Sequence, residues 1–224
     1  MTNFKNRVLF NIVYYFLWVA YFLVARLLFL SYYFDKTSEL GFSTALKTFI
    51  YGIQLDFSFA AYIAAIPFLI GLLSIFINKN IILKLIKGYT FPVIFVINLL
   101  LLIDIVLYKS WGVRIDSTLL NYINTPKAML ASISNTLLFS GILIWLLLSF
   151  ITIYIFNKIL TKYSTKLNKG KLVETPVFLL LIGALIIPIR GGFATIPINQ
   201  SNVYFSKNMF ANHAAVNCFW NFAN

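Results

Sequence analysis

The sequence predicts an all-α membrane protein of five transmembrane helices, and three observations predict it. Of 224 residues, 61% are hydrophobic and 11% charged, too little polar surface to cover a soluble globule of this length. Five apolar runs follow one another along the chain, each of a length suited to crossing a hydrocarbon core about 30 Å thick. Lysines collect in the short segments between those runs, where they set orientation, and the aromatic residues, 18% of the chain, suit helix packing or the headgroup belt.

The first span covers residues 8–30. It is longer than the apolar region of a signal peptide and ends without a small-residue cleavage site, so it remains as an anchor. Lys5 and Arg7 precede it and hold the N-terminus in the cytoplasm. A polar stretch, 31–47, carries Asp35, Lys36 and Glu39. The second span, 49–77, contains Pro67, which predicts a kink and needs a neighbour to satisfy the carbonyl it frees. Lys79, Lys84 and Lys87 fill the next loop, and the third span, 89–108, has Pro92 in its first turn.

Residues 109–135 read as two short interfacial helices in the outer loop between the third and fourth spans. Asp116 caps the first, with Leu119, Leu120 and Ile123 on its apolar side, and Thr125 followed by Pro126 opens the second. The fourth span is 136–156, followed by Lys158, Lys162, Lys166, Lys169 and Lys171, and the fifth is 172–189. Residues 1–190 thus form a transmembrane domain. The Asn-, Ser- and aromatic-rich segment 191–224, opened by Gly191 and Gly192, reads as an extracytoplasmic exit linker.

With the N-terminus inside, the cytoplasmic segments hold ten of the eighteen basic residues, while the larger outer surface also carries Asp35, Glu39 and Asp116. This bias predicts a multi-pass protein of the cytoplasmic membrane, N-in and C-out. The net charge of +12 does not point to nucleic acid, because the lysines punctuate apolar runs instead of lining one face. One cysteine, Cys218, permits no intramolecular disulfide and no cysteine-based metal site. With one histidine, His213, it supplies no catalytic or metal-ligating set, so no catalytic residue, metal or cofactor is assigned to this chain.

Ionisable residues within the spans carry the most information. Arg26 lies about one turn from the outer end of the first span and Asp56 about two turns below that of the second. Asp104 is about one turn from the outer end of the third, Arg114 and Asp116 follow just outside, and Arg190 ends the fifth. All six fall on the outer leaflet, with Gln54 nearby, and the inner leaflet offers no comparable set. A lipid-facing charge costs several kcal/mol, so these groups must face the bundle and pair. Three readings follow. The residues form inter-helix salt bridges; or Arg26, Arg114 or Arg190 grips a lipid phosphate while the aspartates orient the guanidinium planes; or an unpaired carboxylate relays protons. Trp111 reads as an interfacial anchor and Gly112 as a tight turn.

Asp104, Tyr108, Trp111, Gly112, Val113, Arg114, Ile115 and Asp116, then Tyr122 and Pro126, resemble the third-span and outer-loop pattern of lipoteichoic acid synthase-like proteins. Gly52 with Asp56 looks like the second-span motif of that family. Arg190, Gly191 and Gly192, with Ala211, Asn212, Ala214, Ala215, Asn217 and Trp220, look like its exit segment. The resemblance implies five membrane helices followed by an extracytoplasmic sulfatase or phosphoglycerol transferase domain of the alkaline phosphatase superfamily. The nucleophile and divalent metal would belong to that domain, which this chain lacks. It also implies anionic membrane lipid, such as phosphatidylglycerol, as a partner. The alternative is a small self-contained transporter, flippase or channel, which requires a polar path through both leaflets. The cytoplasmic halves of the spans offer none, and the sequence has no internal repeat of the kind many transporters are built from.

Overall fold

The computed structural model describes residues 2–74, 76–124, 135–164 and 171–224. Among them every regular element is helical. The long rods are α1 (Thr2–Tyr32), α3 (Phe42–Leu73), α4 (Lys79–Trp111) and α5 (Asn135–Ser164), with α2 (Phe34–Leu40) between the first two. The fifth rod, Leu172–Arg190, is a single 3-10 turn followed by α6 (Thr175–Ala184) and α7 (Ile186–Arg190). These five are long and apolar enough to cross a membrane. Beyond them come α8 (Met209–Ala215) and α9 (Cys218–Ala223).

The rods run past the limits that hydropathy sets. At about 1.5 Å per residue, the 31 residues of α1 extend beyond a core about 30 Å thick. A helix satisfies its own backbone in water as well as in lipid, so polarity alone does not end it. The polar stretch 31–47 is accordingly helical over most of its length, broken at Gly41, and the lysine loop 78–88 is the opening of α4. The side chain of Asn78 caps that opening, so Pro92 sits inside α4 and not in its first turn. Pro67 lies inside α3, and the Ile63 carbonyl four residues before it accepts a hydrogen bond from Tyr89 Oη at 3.2 Å. At the far end of α4, Gly112 takes the left-handed conformation, φ 71°, and closes the helix on the Tyr108 carbonyl.

α1 lies along α3, α5 packs on α4 and more lightly on α1, and α3 also carries α6, α7 and α8. Arg7, Asn11, Tyr14, Trp18, Tyr21 and Ala25 recur along α1 at alternating intervals of four and three, which places them on one inward stripe. By contrast, 11% of the most apolar stretch of the fourth and of the fifth rod is buried. Those helices leave most of that apolar stretch outside the bundle, as helices suited to crossing a membrane do.

Asp116 caps a helix, as expected, but a 3-10 one: its Oδ1 accepts from the Thr118 amide at 2.9 Å at the head of Ser117–Asn124. The second short helix expected at Thr125 and Pro126 falls outside the described residues.

The segment read as an exit linker turns at Gly191 and Gly192 and returns to the bundle. Every residue from Phe210 to Trp220 is buried. Asparagines make this possible, because Asn208 and Asn217 cap the two short helices of this stretch and satisfy backbone amides that burial would otherwise orphan, while Asn199 caps the more exposed 3-10 turn before them. Asn212 brackets the preceding loop, accepting from the Phe205 and Ser206 amides and donating to the Ser206 carbonyl.

Candidate functional site, a charged latch on the C-terminal segment

Arg26 projects from α1 and Asp56 from α3, and both are buried. Arg26 Nη1 donates to Asp56 Oδ2 at 2.7 Å and Nη2 to Oδ1 at 2.9 Å, a forked pair. The same guanidinium donates from Nε to the Ala214 carbonyl at 3.0 Å and from Nη2 to the Ala215 carbonyl at 3.1 Å. These carbonyls close α8, where no helical amide remains to satisfy them and where the helix dipole favours a cation. Asn217 completes the group: its Nδ2 donates to Asp56 Oδ1 at 2.8 Å, while its Oδ1 caps α9 by accepting from the Phe219 and Trp220 amides. Gly52 lies one turn before Asp56, and a Cβ there would collide with the Ala215 carbonyl oxygen and the Arg26 guanidinium.

A second pair stands beside the first. Arg114 Nε donates to Asp104 Oδ1 at 3.1 Å, and the Ile115 amide donates to the same oxygen at 3.0 Å. Asp104 Oδ2 is 2.9 Å from Arg114 Nη2, off the hydrogen-bonding direction. Arg114 also reaches the His213 carbonyl from Nη1 at 3.4 Å and lies over the Phe29 ring, 3.9 Å from its centroid. Consecutive carbonyls of α8, at 213, 214 and 215, are therefore taken by two arginines from different elements. Arg26, Asp56 and Arg114 line one void with Asn217 and Cys218, with room for about one water molecule. Burial, and then the Asp104 carboxylate, push the Cys218 thiol up to about 12, so it is inert here. Burial and the Arg114 charge lower His213, leaving a neutral ring whose Nδ1 pairs with Tyr108 Oη at 3.0 Å.

Of the residues that the sequence assigns to the cluster, Arg26, Asp56, Asp104 and Arg114 meet. Asp116 stays at its cap, Arg190 is exposed with its Nη2 on the Thr195 carbonyl at 2.7 Å, and Gln54 is exposed. Sequence reasoning named Asn217 only within the exit-segment resemblance and gave it no place in the cluster, and it missed Ser58, whose Oγ accepts from Trp220 Nε1 at 3.1 Å and donates to the Ile189 carbonyl at 2.8 Å. The capping position of Asn217, just before apolar residues, is the signal that could have found it.

One expectation is corrected. The end of the bundle that carries the lysines does hold a buried charge set: Arg7, read as an orienting charge, pairs with Glu174. It also donates to Ser74 Oγ at 3.1 and 2.6 Å and to the Gly71 carbonyl at 3.4 Å, with Phe178 under its guanidinium. Glu174 becomes a partner because the fifth rod starts beside α1 and α3, an adjacency that hydropathy does not encode.

These features define the class, an all-helical multi-pass membrane protein whose last residues are latched into its own bundle by two buried ion pairs. Comparison with protein-family models, with curated proteins and with solved structures finds no match.

Proposed function

We propose that this chain is the membrane domain of a lipoteichoic acid synthase-like sulfatase or phosphoglycerol transferase. It anchors and orients an extracytoplasmic catalytic domain, which supplies the metal and the nucleophile, and presents to it an anionic lipid such as phosphatidylglycerol. The observation that carries this reading is convergence. The second-span residues Gly52 and Asp56, the third-span and loop residues Asp104, Tyr108 and Arg114, and the tail residues Ala214, Ala215 and Asn217 carry the resemblance from three distant stretches, and all contribute to one latch. A tail held at both arginines gives whatever follows it a fixed direction, as an anchor that orients a domain requires.

In this reading the protein lies in the cytoplasmic membrane, N-in and C-out, with the 3-10 helix Ser117–Asn124 on the outer surface. The lysines at 79, 84, 158 and 171 crowd one end of the bundle and support that orientation. The chain's one cysteine is buried, so an introduced cysteine reports alone. A membrane-impermeant maleimide applied to whole cells is expected to label Phe193→Cys and to leave Lys84→Cys unmodified, and the reverse pattern overturns the topology.

Four donor contacts to protein occupy the Arg26 guanidinium, and Arg114 is similarly engaged, so the lipid-contacting role falls to exposed Arg190. In the full-length enzyme, Arg190→Gln is expected to lower turnover of a membrane lipid about tenfold, the weight of one charge-assisted hydrogen bond, while sparing a soluble ester. Equal loss on both substrates, or none on either, counts against lipid presentation.

The polar stripe on α1 favours a second reading, a self-contained transporter. Tyr14 pairs with Thr90, and Tyr21 pairs with Asn98, which donates to Ser149, so the inner half and the middle of the bundle are more polar than the sequence suggests. Trp18 stands between these groups and its indole can only donate, which interrupts a proton path.

A further inference from the structure

Lys36, on the exposed face of α2, points its ammonium into a group of rings. Its Nζ lies 5.6 Å from the Tyr33 ring centroid, 5.5 Å from that of Tyr108 and 5.9 Å from that of Phe210. The Tyr33 and Tyr108 planes meet at 67°, Tyr33 and Phe210 at 70°, and Tyr108 and Phe210 at 56°, with centroids 5.2 to 6.1 Å apart. Three steeply inclined rings around one position make a cup, and ring faces attract cations with little regard to how the charge is substituted. The cup is rigid. Tyr33 Oη donates to the Ile105 carbonyl at 2.5 Å, Tyr108 Oη is tied to His213, and Phe29 stacks behind Phe210 with Arg114 on Phe29 in turn.

The two cations on this aromatic set differ. Arg114 is buried and matched by Asp104, whereas Lys36 is exposed, and the ion pairs among the described residues are Arg7–Glu174, Arg26–Asp56 and Arg114–Asp104. Among the described residues rings alone hold the lysine ammonium, on a long flexible stem that can swing into solvent at small cost.

We propose that Tyr33, Tyr108 and Phe210 form a binding site for an alkylammonium group, for which Lys36 is a displaceable resident. The ligand is an amine of the kind carried by a zwitterionic lipid headgroup or by a small soluble amine. The site adjoins the latch, sharing Tyr108 and α8 with it, and does not depend on the function proposed above.

Calorimetric titration of the purified protein with choline, and with its neutral isostere 3,3-dimethylbutan-1-ol, tests this. Lys36→Ala removes the resident and is expected to bind choline at least about tenfold more tightly than the parent chain, with no comparable binding of the isostere. Adding Phe210→Leu to Lys36→Ala is expected to reverse the gain, while Tyr33→Phe, which keeps the ring, preserves it. An unchanged thermal midpoint in the Lys36→Ala, Phe210→Leu protein separates loss of the site from loss of the fold. The same titration in phosphatidylcholine and in phosphatidylglycerol nanodiscs identifies the source of the ammonium. Weaker choline binding in phosphatidylcholine assigns the site to a lipid headgroup, and equal binding in both assigns it to a soluble amine. Equal binding of the isostere, or no gain from Lys36→Ala, overturns the proposal.

Discussion

Arg26→Gln is expected to destabilise the protein by about 3–5 kcal/mol and to release its last twenty residues from the bundle. The figure is large because glutamine leaves three acceptors stranded: the Asp56 carboxylate, buried and now uncompensated, and the Ala214 and Ala215 carbonyls. Arg26→Lys keeps the charge but supplies a point donor in place of a planar fork. It cannot reach Asp56 and both carbonyls together, so it is expected to recover only part of the loss. Cys218 is the reporter, being buried within the released segment. Its maleimide labelling in detergent should be slow in the parent chain, fast in Arg26→Gln and intermediate in Arg26→Lys, with thermal midpoints in the opposite order. Unaltered labelling and midpoint in Arg26→Gln would mean that the latch holds nothing.

Gly52→Ala is expected to open the same latch from the α3 side at a cost of about 1–3 kcal/mol, the range for overpacking a filled core. Neither atom in the path of the new methyl group can yield cheaply. One is a backbone carbonyl, and the other belongs to a guanidinium fixed by four hydrogen bonds. Gly141→Ala is the control, since a Cβ at Gly141, within α5, meets nothing. There alanine's better helix propensity should leave stability unchanged or raise it by up to about 1 kcal/mol. If Gly52→Ala tracks Gly141→Ala in midpoint and in Cys218 labelling, the close approach of α8 to α3 does not matter energetically.

How much of the site could be read beforehand differs by residue. Arg26, Asp56 and Asp104 were legible because a charge inside an apolar run has nowhere to go but the bundle interior, whatever the fold. Arg190 and Asp116 share only their depth with these residues, and depth does not fix direction around a helix axis. Arg190 ends its helix facing solvent, and Asp116 is spent on a cap. The tail misled for a different reason. Its asparagines count as polar in any average over a window, yet the side-chain oxygens of Asn208, Asn212 and Asn217 are consumed by local backbone amides, and the amide groups of Asn212 and Asn217 donate to the Ser206 carbonyl and to Asp56, so the segment is far less costly to bury than its composition suggests.

By itself the sequence determined the helical class, the five spans and the need for buried ion pairing, because hydropathy and charge burial act on each residue wherever its neighbours lie. Only the tertiary structure decided that Arg26 takes Asp56 and Arg114 takes Asp104, that Arg7 finds Glu174, and that the last residues close the bundle. Each of these depends on which helices stand side by side and how each is rotated, and that is settled by packing between segments far apart in the chain.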